Sequence, residues 1–518
     1  MRLINIDTLE FAEFYDDAIP AYAILSHRWT TDELTYADFR KGRRKESIGY
    51  EKVLRFQEVT QRYNAWLQHG SNEATRATPS AIRHLDGPPW VHPGEISSIE
   101  QAWLDLRFTH ERPQEAVKYM WLDTCCIDKR SSAELSEAIN AMYSYYSNAQ
   151  ICFAHLADVH AAEIDRDSLA PEVERMMHDS VWFTRGCLLG TLQEMIAPER
   201  MLFCDDDWTF FAHKCRGILV SGSGTNRYCN ELPSSYHVNE LIAKITGVTL
   251  RVIDSVKPDY ARYGRHQVLF DKPTALEIFG WASERTTSRV EDMSYCLLGL
   301  LGINMPLLYG EGLLAFRRLQ EAIMVNTSDE TFLAFHSADP YRKAAPILAK
   351  GPRDFVCVSS WTPRNTASVL LEGSALGVTP LSSKTIANGT LQFTTEALRL
   401  HGPRGVLTNY TPEYWLVPVS VFVQAGNDKH AARMHFAVVL ELSAKGSSRY
   451  HRVSNTRLPN NIYNYVVNIG ESFYIGSDWH ICRWRRVRSY LKRFATWSAQ
   501  QQTFAIDLTP QDYDLMID

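Results

Sequence analysis

The run AYAILSHRW, residues 21–29, turns from apolar to polar within one step, and VKYMWLDTCCIDK, residues 117–129, does the same. Apolar stretches this short and continuous suit strands buried on both faces, as in a parallel sheet covered by helices. The first predicts a strand over 21–25 that delivers Ser26, His27, Arg28 and Trp29 at its carboxyl end. The second predicts a strand over 119–122 that ends in Asp123, Thr124, Cys125, Cys126 and Asp128. Helical spacing lies between and after them, in Tyr50, Val53, Leu54 and Val59 and again in Leu135, Ile139, Met142 and Tyr146. QICFAHLADV (150–159) and ERMLFCDDDW (199–208) are two further candidate strands. Strands alternating with helices predict an α/β domain over 1–215. Residues 70–115, rich in Ser, Pro, Gly and His, read as a loop inserted into it. Ligands of such sheets bind beyond the carboxyl ends of the strands, which is where both polar clusters fall.

Farther along, the texture changes twice. Over 216–332, SYHVNELIAKITGV, KPTALEIFGWASER, RVEDMSYCLLGLLGI and GLLAFRRLQEAIMV carry amphipathic or wholly apolar helical patterns, so a helical module is expected. Over 333–518, short alternating runs such as LQFTTEALRLHGP, EYWLVPVSVFVQAGN and MHFAVVLELSAKG predict a β-rich domain, a sandwich or a barrel. No repeat at solenoid or propeller spacing is present.

Composition removes several classes of function. The net charge of −6 gives no global attraction to nucleic acid or an anionic membrane. The basic, aromatic-bearing stretch WHICRWRRVRSYLKR (479–493) reads more simply as a solvated face than as a nucleic-acid contact. SGSGTN (221–226) lacks the Gly-Lys-Ser/Thr ending of a phosphate loop. Ten scattered cysteines show no Cys-x-x-Cys pair or zinc spacing, so buried thiols in a reducing compartment are expected, and no metal. The start, MRLINIDTLEF, does not resemble a signal peptide. The most apolar segment, 295–310, is too short and too interrupted to span a bilayer. These features predict a soluble, cytoplasmic protein.

One acid stands out. Glu194 lies in WFTRGCLLGTLQEMIAP (182–198), on a short apolar helix pattern. Thr191-Leu-Gln-Glu194 fits a capping box, in which the glutamate would only close the helix N-terminus. Ser131-x-x-Glu134 has the same spelling. Cys125 and Cys126 read as buried thiols, since no histidine partner is evident. Glu137 reads as a solvated helix residue.

Four blocks in order resemble the fungal heterokaryon-incompatibility (HET) domain family. They are AYAILSHRW, WLDTCCIDKRSSAELSEAINAMYSYYSNAQICFAHLADV, SVWFTRG with TLQEMIAP, and FGWASERTTSRVEDMSYCLLGLLGINMPLLYGEGLLAFRRLQEAI. The resemblance covers most of the first 330 residues and does not extend to the β-rich tail. It implies a role in non-self recognition between fungal strains, in which incompatible fusion triggers programmed cell death. The HET domain is itself similar to TIR domains, a flavodoxin-like α/β fold of which some members cleave NAD⁺.

The resemblance therefore implies a TIR-like site with Glu194 as the catalytic carboxylate. Ser26, His27, Arg28, Trp29, Asp123, Cys126 and Asp128 would bind substrate. The family usually reads WFTRGWTLQEL, with a tryptophan four positions before the glutamate; here GCLLG intervenes and Gly190 takes that place. The implied substrate is NAD⁺, no cofactor is required, and Glu137 is the reserve carboxylate. Two functions follow from the same residues. One is an NAD⁺ glycohydrolase composed by self-association. The other is a scaffold that assembles with itself or with other incompatibility proteins without turnover.

Overall fold

The computed structural model describes residues 1–15, 18–70, 116–161, 169–184, 191–215, 238–254, 273–333, 335, 347–355, 369–370, 382–387, 390–400, 414–424, 433–442, 449–452, 466–469, 472–475 and 495–507. The inserted loop over 71–115, the segment 185–190, SGSGTN and the basic stretch 479–493 lie outside the described residues. The chain divides into two units, Met1–Asp271 and Lys272–Asp518.

The first unit is built on a mostly parallel seven-stranded sheet of order β2-β1-β4-β3-β5-β6-β7. Its strands are β1 (Arg2–Asn5), β2 (Phe11–Glu13), β3 (Tyr22–His27), β4 (Tyr119–Trp121), β5 (Ile151–His155), β6 (Arg200–Cys204) and β7 (Phe210–Cys215). The four central strands β4, β3, β5 and β6 run parallel. The outer pairings, β1 with β2 and β4, and β6 with β7, are antiparallel. The chain leaves β3 to form β4 on one side and then crosses to form β5 on the other. In sheets of this kind that change of direction marks the expected ligand position, at the carboxyl ends of β3 and β5.

Every residue of β3, β5 and β6 is buried, as expected for strands covered on both faces. The pairs Leu25↔Phe153 and His27↔His155 share one face, and Ser26↔Ala154 the other, because side chains alternate along a strand. Helix α2 (Ile48–Gly70), which follows the five-residue α1 (Tyr36–Arg40), covers the first face. Its Phe56 and Tyr63 meet Phe153 edge-on, at ring distances of 5.8 and 6.4 Å. Each fully buried aromatic of this kind contributes roughly 1.5–3 kcal/mol.

After β4 comes a single turn, α3 (Asp123–Cys126), and then α4 (Ser132–Asn148), which covers the other face. Tyr146 of α4 packs on Trp121, and its hydroxyl donates to the Leu25 carbonyl at 3.1 Å. Ser131 caps α4 by accepting from the Glu134 N–H. The glutamate does not complete the box; its carboxylate takes the Asp128 N–H at 2.7 Å and the Arg2 guanidinium at 2.7 Å. The strand at 119–121 is a residue shorter than expected, and the strand expected over 21–25 runs on through His27. Parallel pairing with β5 continues to His155, so Ser26 and His27 belong to the sheet rather than to the loop beyond it.

Between β5 and β6 stand α5 (Leu169–Asp179), α6 (Val181–Thr184) and α7 (Thr191–Ile196). Of the helices expected over 216–332, α8 (Asn239–Thr246) and α9 (Leu250–Asp254) fall in the first unit. The second unit holds α10 (Ala275–Ala282), α11 (Asp292–Tyr295), α12 (Leu298–Leu301) and α13 (Leu314–Asn326). Thr274 and Glu277 form a complete capping box at the start of α10. The second unit also holds a nine-stranded sheet. Within it, pairing runs from Arg433–Leu442 through Arg449–Arg452, Ala495–Asp507, Thr390–Leu400 and Tyr414–Gln424, then returns to the first, a closed ring of strands.

Candidate functional site

Ser26 and Glu194 meet at the carboxyl end of β3. The Ser26 hydroxyl donates to Glu194 Oε2 at 2.6 Å and accepts from Trp182 Nε1 at 3.0 Å. A fully buried serine thus has both roles of its hydroxyl filled. Helix α7 begins at Thr191, which puts Glu194 in its fourth position rather than at the third of a capping box. Among the described residues, Ser26 is the one hydrogen-bond donor to the Glu194 carboxyl. Burial pushes that carboxyl up to about 8; the Ser26 hydroxyl opposes the shift and the Asp123 carboxylate adds to it. At neutral pH the acid is therefore mainly protonated.

Asp123, at the end of β4, lies near Glu194 and pairs with Lys129, whose Nζ is 3.5 Å from Asp123 Oδ2. The same ammonium stands over the Trp29 ring, 3.2 Å from its centroid. Trp29, Lys129 and Asp123 thus form one run of contacts at the carboxyl edge of β3 and β4, and Glu194, Ser26 and Trp182 form another, which feels the first through the charge of Asp123. Arg28 is exposed, and among the described residues its guanidinium has no ion-pair partner.

His27 points to the opposite face. Its Nε2 lies 3.7 Å from Glu33 Oε2, and among the described residues it has no hydrogen-bond partner. Glu33 also takes the Lys52 ammonium, the Thr30 N–H at 2.9 Å and the Thr30 hydroxyl at 3.3 Å. Lys52 reaches the Arg28 carbonyl at 3.4 Å. This buried clamp ties the turn that bears Arg28 and Trp29 to helix α2. Burial alone would raise the Glu33 carboxyl, but His27 and Lys52 hold it well below the usual carboxylate range. His155, across from His27 in the sheet, stacks on Trp208 at 4.4 Å. Burial pushes its imidazole down to about 4; Lys52 and His27 add to the shift, against the Asp206 carbonyl. The start of α2 must pass close to the turn, and Gly49 allows it. A Cβ there would stand 2.4 Å from the Leu34 backbone nitrogen and 2.6 Å from the Asp32 carbonyl oxygen.

Cys126 and Asp128 stand apart from these runs of contacts. Cys126 is buried, its thiol pushed up by that burial, and its carbonyl accepts from Arg2 Nη1 at 3.0 Å. Asp128 pairs with Arg130 through two bonds of 2.8 and 2.7 Å, and that pairing holds its carboxyl down at about 2. Glu137 is exposed on α4. Gly190 lies outside the described residues.

Glu33, Lys52, Lys129 and Trp182 were not singled out by sequence reasoning. Lys52 did carry a signal, as a charged residue within the buried stripe of Val53, Phe56, Val59 and Tyr63. Among the described residues, no group of His, Cys, Asp and Glu is placed to hold a metal, and no helix is long and apolar enough to cross a membrane.

Residues 95–186 match the family described as Heterokaryon incompatibility protein (HET). That segment of the chain is similar to a HET domain. The matched segment includes β4, α4, β5 and Trp182; Ser26 and Glu194 lie on either side of it. The chain is also 31% identical over 309 residues to the vegetative incompatibility protein HET-E-1 of Podospora anserina. That likeness covers 59% of this chain but 16% of the relative, so the chain corresponds to a small part of that protein. No solved structure matches the chain.

Proposed function

We propose that the chain acts in heterokaryon incompatibility and that its HET domain cleaves NAD⁺ at the carboxyl edge of β3. The part-buried Ser26–Glu194 hydrogen bond is the observation that carries this reading. The central strand order supports a TIR-like, flavodoxin-like core, in which the carboxyl edge of β3 and β5 is the expected ligand position.

The chemistry needs one carboxylate. Nicotinamide bound to ribose is cationic and leaves neutral, so no acid has to protonate it, whereas an ordinary glycosidase must assist an alkoxide. Glu194 binds the ribose hydroxyls and, ionised, stabilises the positive charge that develops on the sugar. Ser26 holds that carboxyl in place, Arg28 pairs with the diphosphate, and Trp29 stacks on a ring. His27 and Asp123 border the same edge; Cys126 and Asp128 support the turn after β4. Ionisation of Glu194 limits turnover, so kcat/KM should rise with pH through about 8. In a cell, NAD⁺ loss in the cytoplasm would be the death signal that follows non-self recognition.

A second reading is a scaffold that assembles with itself or with other incompatibility proteins. It is favoured by Trp29, whose ring is already covered by Lys129. The test is to follow NAD⁺ by chromatography with the full chain, alone and assembled. We expect Glu194→Ala and Glu194→Gln to lose at least about a hundred-fold in kcat. Absence of turnover in every assembled state of the unaltered chain would sink the enzyme and leave the scaffold. Turnover that survives both substitutions would move the chemistry elsewhere, with Glu137 the next residue to replace.

A further inference from the structure

The Lys129 ammonium is held from two sides. The Trp29 indole face lies 3.2 Å away at its centroid and Asp123 Oδ2 lies 3.5 Å away. An aromatic face opposed by a carboxylate is the arrangement that receives organic cations, because the ring quadrupole and the anion both attract positive charge. Here the receiving groups come from the ends of two neighbouring parallel strands, while the cation comes from the turn beyond α3. Lys129 is one-third exposed and Asp123 17% exposed, so the pair opens to solvent rather than closing a core. The Asp123 charge is felt by Glu194, so the slot lies near that acid.

The geometry points to a subsite for a flat organic cation of the pyridinium class between Trp29 and Asp123, with Lys129 as an internal plug that such a ligand must displace. This rests on the proposed site for its position, but not on turnover there. Three consequences follow from charge alone. A cationic pyridinium competes with Lys129 for both partners. An uncharged pyridine of the same shape gains the stacking and not the ion pair. Removing the plug's charge therefore favours the cation selectively, since it leaves Asp123 without its resident partner and the indole face without a resident cation.

Binding of 1-methylnicotinamide, a permanent cation, and of nicotinamide, its uncharged counterpart, separates these effects in the full-length protein by calorimetry. Lys129→Met keeps the apolar stem and removes the charge. We expect it to tighten 1-methylnicotinamide about five- to ten-fold, the size of a partly solvated cation–π contact, while nicotinamide changes less than two-fold (~2). Lys129→Arg retains a cation that stacks on tryptophan and should stay as weak as the unaltered chain. Asp123→Asn should abolish the preference for the cation over nicotinamide. Thermal unfolding of each variant checks that it is folded.

Equal tightening of both ligands in Lys129→Met would overturn the plug, as would unchanged or weaker cation binding, or no cation binding in either form. Asp123→Asn retaining the cation preference would overturn the carboxylate wall. NAD⁺ turnover is read separately. Tighter cation binding without turnover leaves the subsite standing and removes the enzyme; turnover with no effect of Lys129→Met does the reverse.

Discussion

Two acids flank the end of β3, one on each face, and they behave in opposite ways. Glu194 meets Ser26, and Glu33 meets His27, the next residue along the strand. Both are enclosed by protein, which by itself disfavours the ionised form. Glu194 is offered one hydroxyl and a neighbouring carboxylate, and its carboxyl rises to about 8. Glu33 is offered a lysine, a histidine and a backbone N–H, and its carboxyl falls. Burial does not decide what an acid becomes; the partners supplied to it do. One face holds an acid that can change charge near neutral pH, and the other holds an acid fixed as an anion.

Replacing one member of the clamp is the harshest way to break the comparison. We predict that Glu33→Ala costs about 3 kcal/mol, because it leaves Lys52 buried without its carboxylate. Urea denaturation measures it; a loss no larger than that of an exposed ion pair would make the clamp incidental.

The two acids should also tilt stability in opposite directions with pH. A folded pKa above the ordinary 4.5 means that Glu194 costs nothing below that value and increasingly more as pH rises to about 8. Glu194→Gln should therefore gain on the unaltered protein between pH 5 and pH 8, by up to about 1 kcal/mol per pH unit. Glu33, held below its ordinary value, contributes stability that is present above pH 4.5 and lost as pH falls. Glu33→Gln should accordingly flatten the acid side. Parallel stability profiles for the two variants would dissolve the distinction.

The smallest effect is expected at Ser26. Ser26→Ala removes the donor to Glu194 and the acceptor for Trp182, a loss of about 1 kcal/mol. It should also raise the Glu194 carboxyl further, since that hydroxyl favours the ionised form. Following the carboxyl by isotope-edited infrared spectroscopy would check the direction.

Much of the Ser26 face was legible in the chain, for identifiable reasons. A five-residue apolar run that gives way to polar residues suffices to place Ser26 at the carboxyl edge of the sheet. The family resemblance then brings Glu194 to it, although the capping-box spelling alone would have sent the acid back to its own helix. The His27 face was not legible. Glu33 and Lys52 meet only because α2 crosses the sheet at one angle and starts at one height, set by the close passage at Gly49. Periodicity reveals which stripe of α2 is buried but not which loop lies above it. Lys129 was hidden for a similar reason, since its ring partner is separated from it by a whole strand–helix–strand crossover. The alternate spelling at Ser131 and Glu134 shows the limit of local motifs: the cap forms, yet the glutamate is drawn away by Arg2, which no local pattern anticipates.

The parallel pairing of β3 with β5 has a consequence for the kinds of change a lineage can absorb here. Substitutions can adjust either acid singly, since each answers to its own side of the sheet. Loss of one codon within β3 ahead of Ser26 cannot: it would turn every downstream side chain to the other face, bringing the His27 imidazole to Glu194 and the Arg28 guanidinium to Glu33. The switchable acid would then acquire a basic partner while the fixed one kept Lys52 and gained another, so a single small deletion would erase the contrast between the faces while leaving the composition of the edge almost intact.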